Sequence, residues 1–193
     1  ISHVDLSIGY LLPFLEDAVA LSPPASPEVA AVDMLKNWDR YRWDLDEDNF
    51  YDSPAQTIFE KWLSVMLKKT FEDDLVAQFG RVSGTGYPPG NAPSTGTKVL
   101  YHALLGPDST VPNNYDFFNG VPPNTVIFDA LTETVNTLTG TLGPEMSTWL
   151  TVVTPLKFSY TNFLGIPQAW TDEDLYLPIS MNRGTQNHMV ELA

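Results

Sequence analysis

The 193-residue sequence contains no cysteine. Disulfides, thiolate metal sites and cysteine nucleophiles are excluded together. Basic residues are scarce: 10 lysines and arginines face 24 acids, for a net charge of −14. That balance repels phosphate backbones, so nucleic acid is not an expected partner. No basic stripe or basic amphipathic helix points to a membrane surface. No apolar run approaches the roughly 20 residues that a membrane span needs. Chemical motifs are missing too. The three histidines, His3, His102 and His188, lie far apart and form no HExxH or comparable ligand pair. There is no GxSxG elbow and no SxxK. The glycine-rich GTGYPPG (84–90) lacks the lysine and the helix spacing of a phosphate cradle. Glu16 and Asp17, and Asp172 to Asp174, are runs of acids that read as solvated faces. The chain opens at Ile1 without a basic start, so no signal peptide is read.

What is present describes a folded, mainly α protein with a small β component. Apolar residues make up 43% and aromatics 12%, enough for one good-sized core and too many for a disordered acidic tail. DLSIGYLLPFLEDAVAL is helical, with Asp5 as N-cap and Pro13 expected to kink or divide it. Ser26-Pro27-Glu28 starts a second helix running to about Trp38: a capping hydroxyl, a first-turn proline, then an acid at the positive helix end. Ser53-Pro54 repeats the signal. The following AQTIFEKWLSVMLKKTF has an apolar face broad enough for a central core helix. Residues 80–97, rich in Gly, Pro, Ser and Thr, are expected to form one long loop. Helices are expected over 98–105 and 123–138, and a turn or two from Pro144 through Trp149. Extended or strand segments are expected near 155–163 and 186–192. The last strand has no successor to pair with, and natural domains avoid such edges. With the opening at Ile1, it suggests one helical region over 1–193 cut from something larger.

One stretch invites a metal reading. DLDEDNFYDS, residues 44–53, places Asp44, Asp46 and Asp48 in the alternation that begins an EF-hand loop. That loop also needs glycine at its sixth position and a bidentate glutamate at its twelfth. Here those positions are Asn49 and Ala55, and Pro54 falls where the loop should continue. Solvated acids in a connection between helices are the plainer reading, and no metal is expected.

The flanks of that stretch carry a resemblance. VDMLKNWDRYRWDLDEDNFYDSPAQTIFEKWLSVMLKKTF resembles a segment of the penicillin acylase (penicillin amidase) β subunit, a Leu-x-x-Trp-Asp helix end at Leu35 to Asp39 followed by a Trp-bearing helix. FSYTNFLGIPQAW is similar to the family's Asn-Phe-(Phe/Leu)-Gly-x-Pro-Gln run at Asn162 to Gln168. MNRGTQNHMVEL is similar to its Asn-Arg-Gly-Thr-x-Asn-x-Met run at Asn182 to Met189. The likeness is strongest to the penicillin G acylase branch. It implies an N-terminal nucleophile hydrolase whose β chain begins with serine, and it implies a periplasmic or secreted location. It also implies partners: the remainder of the β subunit, the α subunit, and a small amide substrate bound by the whole. Ile1 has no nucleophilic atom, and the family's oxyanion asparagine, catalytic arginine and calcium-ligating aspartates lie upstream of the matched part. The resemblance therefore assigns no catalytic residue, no metal ligand and no cofactor to this chain. Substrate-facing candidates are confined to the 84–97 loop: Asn91, Ser94 and Thr95. The rival expectations are an acidic partner-binding module without hydrolase activity and a weak calcium-binding domain on Asp44, Asp46 and Asp48.

Overall fold

The computed structural model describes residues 5–79, 93–111, 115–152, 158–159 and 179–180. The order is α1 (Ser7–Val19), α2 (Pro27–Asn37), α3 (Pro54–Phe79), α4 (Pro93–Leu105), a 3₁₀ turn (Gly106–Asp108) and α5 (Pro123–Leu142). A second 3₁₀ turn (Met146–Thr148) and two short strands, β1 (Phe158–Ser159) and β2 (Ile179–Ser180), follow. The chain divides into two compact units, Ile1–Val152 and Val153–Ala193.

In the first unit α3 is the axis. Ile58, Phe59, Trp62, Val65, Met66, Leu67 and Phe71 are all buried, the broad apolar face expected of a central helix. α5 packs across α1, α2 and α3 and buries Ile127, Ala130, Leu131, Val135 and Leu138. α1 brings Ile8, Leu11, Leu15 and Val19, and α4 closes the side between α1 and α3 with Leu100, Ala103 and Leu104.

Local chemistry sets the boundaries. Ser26 Oγ accepts from Val29 N at 3.3 Å and Pro27 opens α2, as the sequence signal required. Leu6, not Asp5, stands at the N-cap of α1, and Asp5 acts from one place before it, its Oδ1 accepting from Ser7 N at 2.9 Å and from the Ser7 hydroxyl. Pro13 does not divide α1. The N–H it lacks would have met the carbonyl of Gly9, and the buried stripe on either side keeps the two halves in register. At the end of α5, Gly143 has φ +98, a conformation closed to ordinary L-residues. Its N–H bonds Thr139 O at 3.0 Å, and its carbonyl accepts from Trp149 Nε1 at 2.8 Å. The glycine thereby ends the helix and seats a fully buried tryptophan.

α4 begins at Pro93, whereas the sequence suggested loop through residue 97. Proline is favoured in a first helical turn, and Gly96 is tolerated once Leu100, Ala103 and Leu104 are buried. The remainder of that loop, 80–92, lies outside the described residues. In the second unit β1 and β2 pair in parallel, Phe158 opposite Ile179 and Ser159 opposite Ser180. β1 falls within the extended segment read near 155–163. The strand expected at 186–192 lies outside the described residues.

Candidate functional site

The connection from α2 to α3 holds the densest charge in the described chain: Asp44, Asp46, Glu47, Asp48 and Asp52. These carboxylates shape the loop they sit on. Asp48 N donates to Asp44 Oδ1 at 3.1 Å and to Asp46 Oδ1 at 3.4 Å. Phe50 N donates to Asp48 Oδ1 at 2.7 Å, and Leu45 N reaches both oxygens of Asp52 at 3.2 Å. Glu47 and Asn49 take φ values of 59° and 70°. Side-chain acceptors close to their own backbone offset the cost of such a left-handed path. The acids therefore do more than solvate the loop, the plainer of the roles their sequence suggested. Beyond them the segment joins the core: Asp52 N donates to Trp43 O at 2.9 Å and Tyr51 N to Thr151 O at 3.0 Å. Phe50 pairs with Val152 in an antiparallel bridge.

The carboxylate oxygens of Asp44, Asp46 and Asp48 lie within 4.8 Å of one another, close enough to share a cation. They are the one such group among the described residues. Three exposed or half-exposed monodentate acids make a weak ligand set, and Asn49 and Ala55 stand where a calcium loop has its glycine and its bidentate glutamate. The oxygens of Asp44 and Asp48 also already serve loop N–H groups.

Of the residues read as substrate-facing, Ser94 and Thr95 fall in the first turn of α4 and not in a loop. Their side chains, and Asn91 altogether, lie outside the described residues, as do His3 and His188. His102, on α4, contacts Ser109 Oγ through Nδ1 at 2.9 Å. That hydroxyl also donates to Val111 O at 2.9 Å and accepts from Val111 N at 3.1 Å. Among the described residues no carboxylate bonds the ring, so the pair closes a turn and lacks the orienting third group of a nucleophile–base relay. A polar groove of about 590 Å³ lies where α3 meets α5, crossed by the Lys69–Glu133 ion pair at 2.9 Å. A second, of about 420 Å³, lies between the end of α2 and the start of α3. Neither contains a histidine or a nucleophile–base pair.

Arg42 was not singled out by sequence. Its Nη2 meets Asp5 Oδ2 at 3.1 Å and its Nη1 meets Glu60 Oε1 at 2.6 Å. Burial disfavours the charge, but Glu60 and Asp5 outweigh it and hold the guanidinium above its ordinary value. The start of α1, the loop and α3 are thus joined through one cation. Two residues earlier, Arg40 lays its guanidinium over Gly9, where a Cβ would come within 2.9 Å of Nη1. Partners 37 and 18 positions from Arg42 leave no periodic trace in the sequence.

A helical platform with no assembled catalytic group among its described residues is compatible with many proteins. The comparisons decide between them. The family model for penicillin amidase matches residues 2–187. The chain belongs to the penicillin amidase family. It is 33% identical over 197 residues to penicillin G acylase of Escherichia coli, a match that takes in 98% of this chain and 23% of that protein. It is also similar to the solved structure of a thermostable penicillin G acylase from Alcaligenes faecalis. There the TM-score is 0.67 and the identity 27%, over 89% of this chain and 32% of that one. This penicillin amidase family chain therefore spans about a quarter of the length of its curated relative. Among its described residues no helix is long and apolar enough to cross a membrane.

Proposed function

We propose that these residues form a non-catalytic helical part of a penicillin-acylase-type amidohydrolase. The whole enzyme would cleave the side-chain amide of penicillins or related N-acyl compounds to a carboxylic acid and an amine. The observation that carries this reading is the match over 98% of the chain to penicillin G acylase, combined with a core that assembles no nucleophile–base pair among its described residues. In this reading an N-terminal serine elsewhere in the polypeptide attacks the amide carbonyl. Its own α-amine, which titrates near 8, takes the proton, so no histidine is needed. Donors elsewhere stabilise the oxyanion. The present residues buttress that nucleophile domain and wall one side of its cleft, where Asn91, Ser94 and Thr95 supply polar contacts. The partners are the rest of the β subunit and the α subunit, in a periplasmic or secreted enzyme.

Two measurements test it. The purified 193-residue chain should release no amine from phenylacetyl amides above the buffer rate, and turnover by the pure chain would overturn the reading. Exchanging this stretch for its counterpart in the Escherichia coli enzyme should preserve hydrolysis. A soluble, correctly processed chimera with no activity would sink the buttressing role. The reading assigns no metal to the acidic loop. Calorimetry should find calcium binding there weaker than about 1 mM, the range of loose extracellular sites, and a micromolar site would favour the calcium-domain alternative.

A further inference from the structure

The bridge between the acidic loop and the end of the first unit leaves apolar side chains in water. Phe50 is 40% exposed, Val152 60% and Leu45 71%. Phe50 and Val152 stand directly opposite each other in an antiparallel pair, so their side chains share a face. Strand alternation explains which face: Tyr51, the next residue, is 9% exposed and turns to the core. Leu45 is tied alongside by its N–H to the Asp52 carboxylate. Trp43 adjoins Asp52 through its carbonyl and stacks on Tyr41 with ring centroids 4.7 Å apart. The result is an apolar strip with an aromatic pair at one end.

The loop that carries Leu45 and Phe50 is acidic. Asp44, Asp46, Glu47, Asp48 and Asp52 flank Leu45 and Phe50 along it, with no lysine or arginine in the sequence between Trp43 and Glu60. Among the described residues every ion pair uses another carboxylate: Asp5, Glu16, Glu60, Glu72 or Glu133. Among the described residues, then, no ion pair offsets the charge of these acids. That selects the occupant. A second copy in a two-fold contact would set acidic loop against acidic loop, and an anionic lipid or nucleic acid surface would be repelled in the same way. An apolar strip beside charge of a single sign fits a polypeptide surface that carries apolar side chains flanked by lysine or arginine. The relatives supply the room for one, because this chain covers only 32% of the solved acylase chain and 23% of the curated relative.

We propose that the Leu45–Phe50–Val152 strip is an interface for a basic, apolar-bearing polypeptide segment in the part of the enzyme beyond these residues. The inference rests on the reading of the chain as part of a larger amidase. It is tested in the full-length protein with a benzophenone photo-crosslinking amino acid at position 50, and at fully exposed position 21 as a control. The expected result is an intramolecular or subunit crosslink, at least fivefold above the control, to a peptide containing lysine or arginine. Its yield should fall when Asp44, Asp46 and Asp48 are replaced by asparagine. A crosslink joining two copies through position 50, one to a peptide without basic residues, or a yield equal to the control would each overturn it. Amide hydrolysis by the same samples separates the two claims. An active amidase without the crosslink sinks the interface alone, and a basic crosslink in a protein that hydrolyses no amide sinks the functional reading alone.

Discussion

Gln56 is the residue most at odds with its neighbourhood. It stands three places after Ser53, the spacing at which a capping box would turn its amide back to the Ser53 N–H. The side chain is instead fully buried, and among the described residues neither Nε2 nor Oε1 has a partner. A buried unsatisfied amide costs free energy that an apolar group of similar shape does not. Gln56→Met is therefore expected to be neutral or to stabilise by about 1 kcal/mol, read as the shift in the urea midpoint at constant m. A loss exceeding that size would show that the amide has a hydrogen-bonding role. Tyr115 gives a second measurement. Its hydroxyl donates to Asp74 Oδ1 at 2.5 Å, and that bond, followed by desolvation and the surrounding Asp74, Asp73 and Asp116 charges, raises its pKa above 10.0. A raised folded value means the contact contributes fully below the unfolded value and is lost as pH rises through the folded one. Ultraviolet titration should show a late phenol ionisation that Tyr115→Phe or Asp74→Asn removes.

The helices differ in how much of their stability is local. α5 carries Gly140 in its last turns, with no atom within 4 Å of where a Cβ would stand. Glycine inside a helix costs roughly 0.5–1 kcal/mol relative to alanine, so Gly140→Ala should stabilise by that amount in equilibrium unfolding. Gly143→Ala should destabilise, because φ +98 penalises any Cβ. At the other extreme, α3 has buried residues on almost every side and depends on the helices around it. The starts of α2 and α3 and the buried face of α5 were legible because caps, prolines and 3.6-residue spacing are local signals. The start of α4 was not. PSTGT reads as loop by composition, and only burial of Leu100, Ala103 and Leu104 against α1 and α3 explains a helix through its glycine.

Over the first unit α1, α2, α3 and α5 each touch three other helices, and α5 is the one that packs on α1, α2 and α3 together. Leu131 is fully buried there. Leu131→Ala should cost about 2–5 kcal/mol, with thermal unfolding showing one cooperative loss across the unit. A change under about 1 kcal/mol would mean that α5 is not central to the core.

Composition and local pattern alone determined that this chain is acidic, mainly helical, free of thiol chemistry and without a recognisable catalytic motif, since charge, caps and periodicity act over a few residues. Its family was legible in the motifs at Leu35 to Asp39, Asn162 to Gln168 and Asn182 to Met189, and the family match over 2–187 agrees. Tertiary structure alone decided what DLDEDNFYDS does. Its acids bond their own loop's N–H groups, and its Phe50 pairs with a residue 102 positions away. Arg42 likewise found Asp5 and Glu60 only through folding. Such contacts join distant positions in the sequence, where no spacing rule can announce them.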